Sequence, residues 1–335
     1  MRYLLVISAI VLSALIAINF VDESAPNRPF EGFRVVVLVG GKPGESFQTA
    51  VSAGVERARR DFGCEVDVQC TNWDPEMLAN LFQEEMAGVP DGICLVGGPE
   101  STPLAPLIGD AFQEGITVTS YARPLPELQS AYSTQGFGFA GPDLKRAGYD
   151  LVSAAVKKHG LRPGSPVLVI TDPSYADPEG LHGGALDAMQ RSGLVPQFIE
   201  VSLTDSGRAS DHIREHLREA KEAGTLPALV CSLDSPLEST MSSLAAEQIP
   251  PETVPLIGVG LEAYSLEVLR HSNSNLSLVL DQNLPLQAYL AVFQACLGRQ
   301  YASLGPRINT PYKIFDREKL AEAPERETAA FVQRF

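Results

Sequence analysis

From Phe33 onward, short apolar runs alternate with stretches whose apolar positions recur every three or four residues. "RVVVLVGG" (34–41) is a β-branched run ending in glycines, which predicts a buried strand. The next stretch sets Phe47, Ala50, Val51, Val55, Ala58 and Phe62 on one helical face and stops at Gly63, a natural left-handed C-cap. "CEVDVQCTN" (64–72) alternates apolar with polar residues, which predicts a half-buried edge strand. Asp74-Pro75 reads as N-cap and first turn of a helix with Leu78, Leu81, Phe82 and Met86 on one side. "DGICLVGGP" and "GITVTSYARP" follow as strands around a helix over Leu104–Glu114. A second series starts at "GFGFAG" (136–141) and predicts strands near Val167–Thr171, Pro196–Ser202, Ala228–Leu233, Pro255–Val259 and Ser277–Asp281. Helices fall between them, and helix Leu284–Gly298 precedes a last strand-like "TPYKIF".

Strand–helix alternation of this kind predicts α/β architecture built on parallel sheets. The proline-bearing, aperiodic stretch Pro124–Thr134 separates the two series and is the expected crossing between two lobes.

Of the 335 residues, 44% are hydrophobic and 20% charged, enough for a large core, and the net charge of −15 argues against a nucleic-acid partner. Arg2 followed by the apolar run Tyr3–Val21 predicts a secretory signal or an uncleaved membrane anchor within residues 1–27. Either places the rest of the chain in the periplasm or on the extracytoplasmic face of the cytoplasmic membrane. Five cysteines without a CxxC pair predict buried thiols, with Cys64 and Cys70 too far apart along one strand to bridge.

In open parallel sheets, ligands bind beyond the carboxyl ends of the strands. The strand ends here are "GGKPGESF", "TNWD", "VGGPES", "SYARP", "TDPSYADPEG", "SLDSP", "GVGLEA" and "LDQN". Ordinary turn chemistry accounts for most of their glycines, prolines and aspartates. Planar polar side chains able to donate and accept together, with aromatic faces beside them, suit a neutral polyhydroxylated ligand.

Four stretches carry a family resemblance in their order and spacing: "NWDPEMLANLFQEEMAGVPDGICLVG", "GFGFAGPDLKRAGYDLVSAAV", "VLVITDPSYADPEGLHGGALDAM" and above all "LDQNLPLQAYLAV". Between about Arg34 and Asp316 the chain resembles the type I periplasmic substrate-binding proteins of ABC importers, simple-sugar (ribose/galactose-binding-like) group. The resemblance implies two similar doubly wound parallel-sheet lobes that close like a hinge, joined by three crossings near Pro124–Gln135, Asp281–Leu284 and Pro306–Thr310. The N-terminal lobe is then 33–123 plus 284–305, the C-terminal lobe 124–283 plus 306–318, and 319–335 is a tail. The resemblance matches Glu45, Phe47 and Arg123 to ligand positions of the family and puts Asp281, Gln282 and Asn283 at a crossing facing the cleft; by side-chain chemistry Trp73, Tyr121 and Tyr175 are the aromatic candidates beside them, and His182 and Asp234 complete the expected site. Ala122 and Gly260 stand where the family often has acidic residues.

The function so implied is capture of a small neutral sugar or polyol and its delivery to ABC importer membrane subunits by a monomer with no cofactor, metal or catalysis. A membrane-tethered sugar sensor is the alternative. The rival of a different class is a dinucleotide-binding enzyme, since "GVGLEA" (Gly258–Ala263) fits G-x-G-x-x-A with Asp281 about twenty residues on. "GGKPGES" lacks P-loop order, no histidine pair has zincin spacing, and no G-x-S-x-G elbow occurs.

Overall fold

The computed structural model describes residues 28–98, 103–202, 206–233, 237–260, 263–270 and 274–322. The N-terminal apolar run, Asp234 and Glu262 lie outside the described residues.

Strand β1 (Arg34–Val39) has five fully buried residues because it lies inside a six-stranded parallel sheet. That sheet has the order β11 (Arg307–Asn309), β5 (Gly138–Gly141), β4 (Thr117–Tyr121), β3 (Gly92–Val96), β1, β2 (Glu65–Cys70). β2 is at the edge, as its alternation predicts. Helices α1 (Ser46–Phe62) and α10 (Leu284–Tyr301) cover one face, and α2 (Pro75–Ala87), α3 (Ala105–Gln113) and α4 (Pro126–Tyr132) cover the other. The predicted signals act locally: Gly63, at φ 75°, returns its N–H to the Arg59 carbonyl, and the Asp74 carboxylate accepts from the Glu76 and Met77 amides.

The second sheet has the order β12 (Lys313–Phe315), β10 (Leu276–Asp281), β9 (Leu256–Val259), β8 (Leu229–Ser232), β6 (Pro166–Thr171), β7 (Val195–Glu200). It is parallel except for β12, which runs antiparallel to β10. Helices α5 (Leu144–His159) and α6 (Leu181–Arg191) cover one face. Helices α7 (Ser206–Glu222), α8 (Leu237–Ala246), α9 (Ala263–Arg270) and α11 (Arg317–Glu322) cover the other. Each lobe is thus a sheet with helices on both faces, the doubly wound arrangement.

One expected boundary is corrected. "GFGFAG" does not open the second lobe: β5 pairs with β4 and β11 in the first sheet. The Ser120 hydroxyl and the Gln294 side-chain amide of α10 both donate to β5 carbonyls, at 3.3 Å and 3.2 Å. The stretch before it folds back as α4 and a short 3₁₀ turn onto the same lobe, with the Tyr132 hydroxyl donating to the Ala105 carbonyl. Periodicity identifies a strand but not the sheet it joins, because pairing partners are distant in sequence. The first crossing is therefore at Pro142–Asp143, where the Asp143 carboxylate caps α5 through the Arg146 amide at 2.9 Å. The second is Gln282–Asn283, between β10 of the second sheet and α10 on the first. The third is Thr310–Tyr312, so β11 belongs to the first sheet and only β12 to the second.

All five cysteines are free thiols, four of them buried.

Candidate ligand-binding site

At the end of β1 the chain turns through Gly40 and Gly41 into the N-terminus of α1, and the "TNWD" turn after β2 folds over it. Asn72 and Trp73 both take left-handed backbone (φ 54° and 59°), which swings the Trp73 indole back onto the β1 turn. A Cβ at Gly40 would lie 2.2 Å from the Trp73 ring, so only glycine leaves the indole its place. Phe47, one residue into α1, meets Trp73 edge-on with centroids 5.0 Å apart. Glu45 precedes the helix without capping it, and its carboxylate lies against Gly41.

From the second lobe, the Asp172 carboxylate accepts from the Ser174 amide and fixes a 3₁₀ turn that presents Tyr175. The Tyr175 ring stands perpendicular to Trp73, centroids 6.4 Å apart. Arg123, just beyond β4 in the first lobe, lays its guanidinium 4.6 Å from the Tyr175 centroid and donates to the Tyr175 carbonyl at 3.3 Å. Phe47, Trp73, Arg123 and Tyr175 therefore form one continuous contact across the two lobes, at strand ends of both sheets.

Asp281, Gln282 and Asn283 sit at the second crossing. Asp281 is only 6% exposed, and its carboxylate accepts from the Asn283 amide at 2.7 Å. Burial pushes its pKa up to about 6, against the opposing effects of that amide and of Lys313. Asn283 is the N-cap of α10 in left-handed backbone (φ 57°), with no capping bond from its side chain. The polar trio thus holds backbone first, and Gln282 and Asn283 keep half-buried side chains.

Two expected site residues are corrected. Tyr121 is fully buried with its hydroxyl donating to the Leu38 carbonyl at 3.1 Å, so it is a core residue of β4. His182 packs against Phe198 on edge strand β7, centroids 6.1 Å apart, with a buried Nε2 that has no hydrogen-bond partner among the described residues. It is not part of the Arg123–Tyr175 contact. Asp234 lies outside the described residues.

Sequence reasoning missed Gln287. This residue of α10 is fully buried; its amide nitrogen donates to the Gln282 carbonyl at 2.5 Å and its oxygen accepts from the Ala122 amide at 3.0 Å. The available signal was two glutamines seven residues apart, Gln287 and Gln294, on a helix otherwise free of charged and amide side chains until Arg299 and Gln300.

A family profile described as "Periplasmic binding protein domain" matches residues 35–297. The chain belongs to that family. An ABC transporter periplasmic solute binding protein from Actinobacillus succinogenes 130z, with bound D-allose, superposes with a TM-score of 0.74 at 15% identity, covering 87% of this chain and 100% of its own. The Caulobacter myo-inositol binding protein, bound to myo-inositol, does so with a TM-score of 0.72 at 17% identity, covering 88% and 97%. A putative LacI transcriptional regulator from Bacteroides fragilis reaches 0.70 at 14% identity, covering 87% and 99%. At these identities the likeness establishes the type I periplasmic-binding-protein fold. No curated protein matches the sequence. The family consists of substrate-binding proteins rather than enzymes, which removes the dinucleotide reading. The first glycine of "GVGLEA" has a packing role instead, because a Cβ at Gly258 would meet Leu237 at 2.4 Å.

Proposed function

We propose that this protein captures a small neutral sugar or polyol in the interlobe cleft outside the cytoplasm and presents it to the membrane subunits of an ABC importer. The observation that carries this reading is the Phe47–Trp73–Arg123–Tyr175 contact between lobes, beside the Asp281 crossing. Aromatic faces suit the C–H faces of a polyol ring, while Arg123, Asp281, Gln282 and Asn283 supply donors and acceptors for hydroxyls. One Asp281 carboxylate oxygen is held by the Asn283 amide, and the other serves ligand hydroxyls. Entry of a ligand requires Arg123 to part from Tyr175, so binding is coupled to hinge motion.

The bound D-allose and myo-inositol of the structural neighbours support this ligand class. The apolar run Tyr3–Val21 supports export, and retained as an anchor it favours a second reading, a tethered sensor using the same cleft. The test is a thermal-shift screen of hexoses, pentoses, inositols and nucleosides, followed by calorimetry. A ligand at a hundred times its dissociation constant stabilises by about 2.7 kcal/mol. Absence of any shift from the sugars and inositols would overturn the reading.

A further inference from the structure

We propose that Gln287 is a positioning residue that ties the second crossing to the Arg123 loop, so that rotation at the crossing sets how far Arg123 reaches across the cleft. The inference rests on the cleft being the ligand site, and it concerns what controls its closure.

The connection is short and fully buried. The Gln287 side chain spans the Gln282 carbonyl, at the point where β10 leaves the second lobe, and the Ala122 amide, where β4 ends in the first. Only one orientation of the Gln287 amide satisfies both partners, since Ala122 offers a donor and Gln282 an acceptor. Ala122 is held in left-handed backbone (φ 69°), a conformation that residues with a Cβ seldom adopt. The Arg123 amide then donates to the Tyr121 carbonyl at 3.0 Å, closing a tight turn. The Arg123 carbonyl lies so close to Gly97 that a Cβ there would meet it at 1.8 Å. With Arg123 pinned on the backbone side, the direction of its side chain follows the torsion of Ala122, and the Gln287 oxygen holds the Ala122 amide. At the other end, Asn283 is also left-handed, so both ends of the connection are bent backbone fixed by one side chain. A shift of the Gln282 carbonyl during lobe rotation therefore reaches Ala122 through two hydrogen bonds. A rigid apolar residue at position 287 would not transmit it.

Trp73 is the protein's single tryptophan and lies in the interlobe contact, so its fluorescence reports closure without any ligand. The experiment is a double-variant cycle on the full chain, comparing wild type, Gln287→Met, Arg123→Ala and the double variant by acrylamide quenching of Trp73. Gln287→Met keeps the length of the side chain and removes both the acceptor for the Ala122 amide and the donor to the Gln282 carbonyl. Each single variant is expected to raise the quenching constant about twofold or more, and the double variant no further than Arg123→Ala alone. Additive effects, or quenching unchanged in every variant, overturn the proposal. Unfolding midpoints are measured alongside, and if Gln287→Met does not fold, Gln287→Leu takes its place in the same cycle. Because the cycle needs no ligand, it is read independently of the sugar screen. A failed screen with a non-additive cycle overturns only the ligand reading, and a positive screen with an additive cycle overturns only the role of Gln287.

Discussion

Asp281 carries the most demanding prediction because its stability and its function oppose each other. Its pKa stands at about 6 in the folded protein against a reference of 3.8, with burial as the largest cause. An acid raised in this way binds its proton more tightly folded than unfolded, so the associated stability is fully present below about pH 4. It is lost as the pH rises through about 6. Two pKa units at about 1.36 kcal/mol each amount to about 3 kcal/mol of destabilisation at pH 8. Asp281→Asn keeps an acceptor for the Asn283 amide and removes the buried charge. The variant is therefore expected to be more stable than wild type by about 3 kcal/mol at pH 8, with the difference shrinking toward zero at pH 4. Urea unfolding at both pH values, scored by the midpoint at unchanged slope, measures it. If the carboxylate also holds ligand hydroxyls, the same variant loses about ten- to a hundredfold in polyol affinity while gaining stability. An Asp281→Asn protein that is equally destabilised at pH 8 and pH 4 would refute the electrostatic argument, whatever its affinity.

Gly40→Ala forces the Trp73 indole off the β1 turn, so tryptophan emission should shift and polyol affinity fall at least tenfold; unchanged emission speaks against the packing described. Tyr121→Phe removes a buried hydroxyl bonded to Leu38 and should cost about 1 kcal/mol in stability with affinity unaltered, whereas a large affinity loss by calorimetry would return Tyr121 to the ligand site. His182→Phe should leave polyol binding unchanged, because the ring packs on Phe198 and not in the interlobe contact; a weakened isotherm contradicts that placement. Small-angle scattering should show a smaller radius of gyration at saturating ligand, and superimposable profiles would argue against hinge closure.

The periodicities placed most of the elements but missed α4, inside the stretch read as an aperiodic crossing, and β11. Valine runs such as 35–37, helical spacing from Phe47 to Phe62, the Asp74-Pro75 cap and the Gly63 stop are local signals, and each acts within a few residues of where it stands. The family resemblance added a crossing at Asp281–Leu284 and singled out Phe47, Arg123 and Asp281, while side-chain chemistry added Trp73 and Tyr175.

What the sequence by itself determined, then, was the type and order of most of the elements, the α/β class and the net negative charge, because these follow from local propensity, hydrophobic period and composition. Which sheet receives "GFGFAG" was decided only by tertiary structure, through pairing with β4 and with β11, which lies more than 160 residues further along the chain. The same is true of the site. Tyr121 and Arg123 are two residues apart and look equally available in sequence, yet one hydroxyl is spent on Leu38 in the core while one guanidinium crosses to Tyr175. Gln287 reads as one polar position on an apolar helix until the fold brings Gln282 and Ala122 to either end of its amide. Side-chain roles of this kind depend on partners brought in from distant segments, and only packing in three dimensions specifies them.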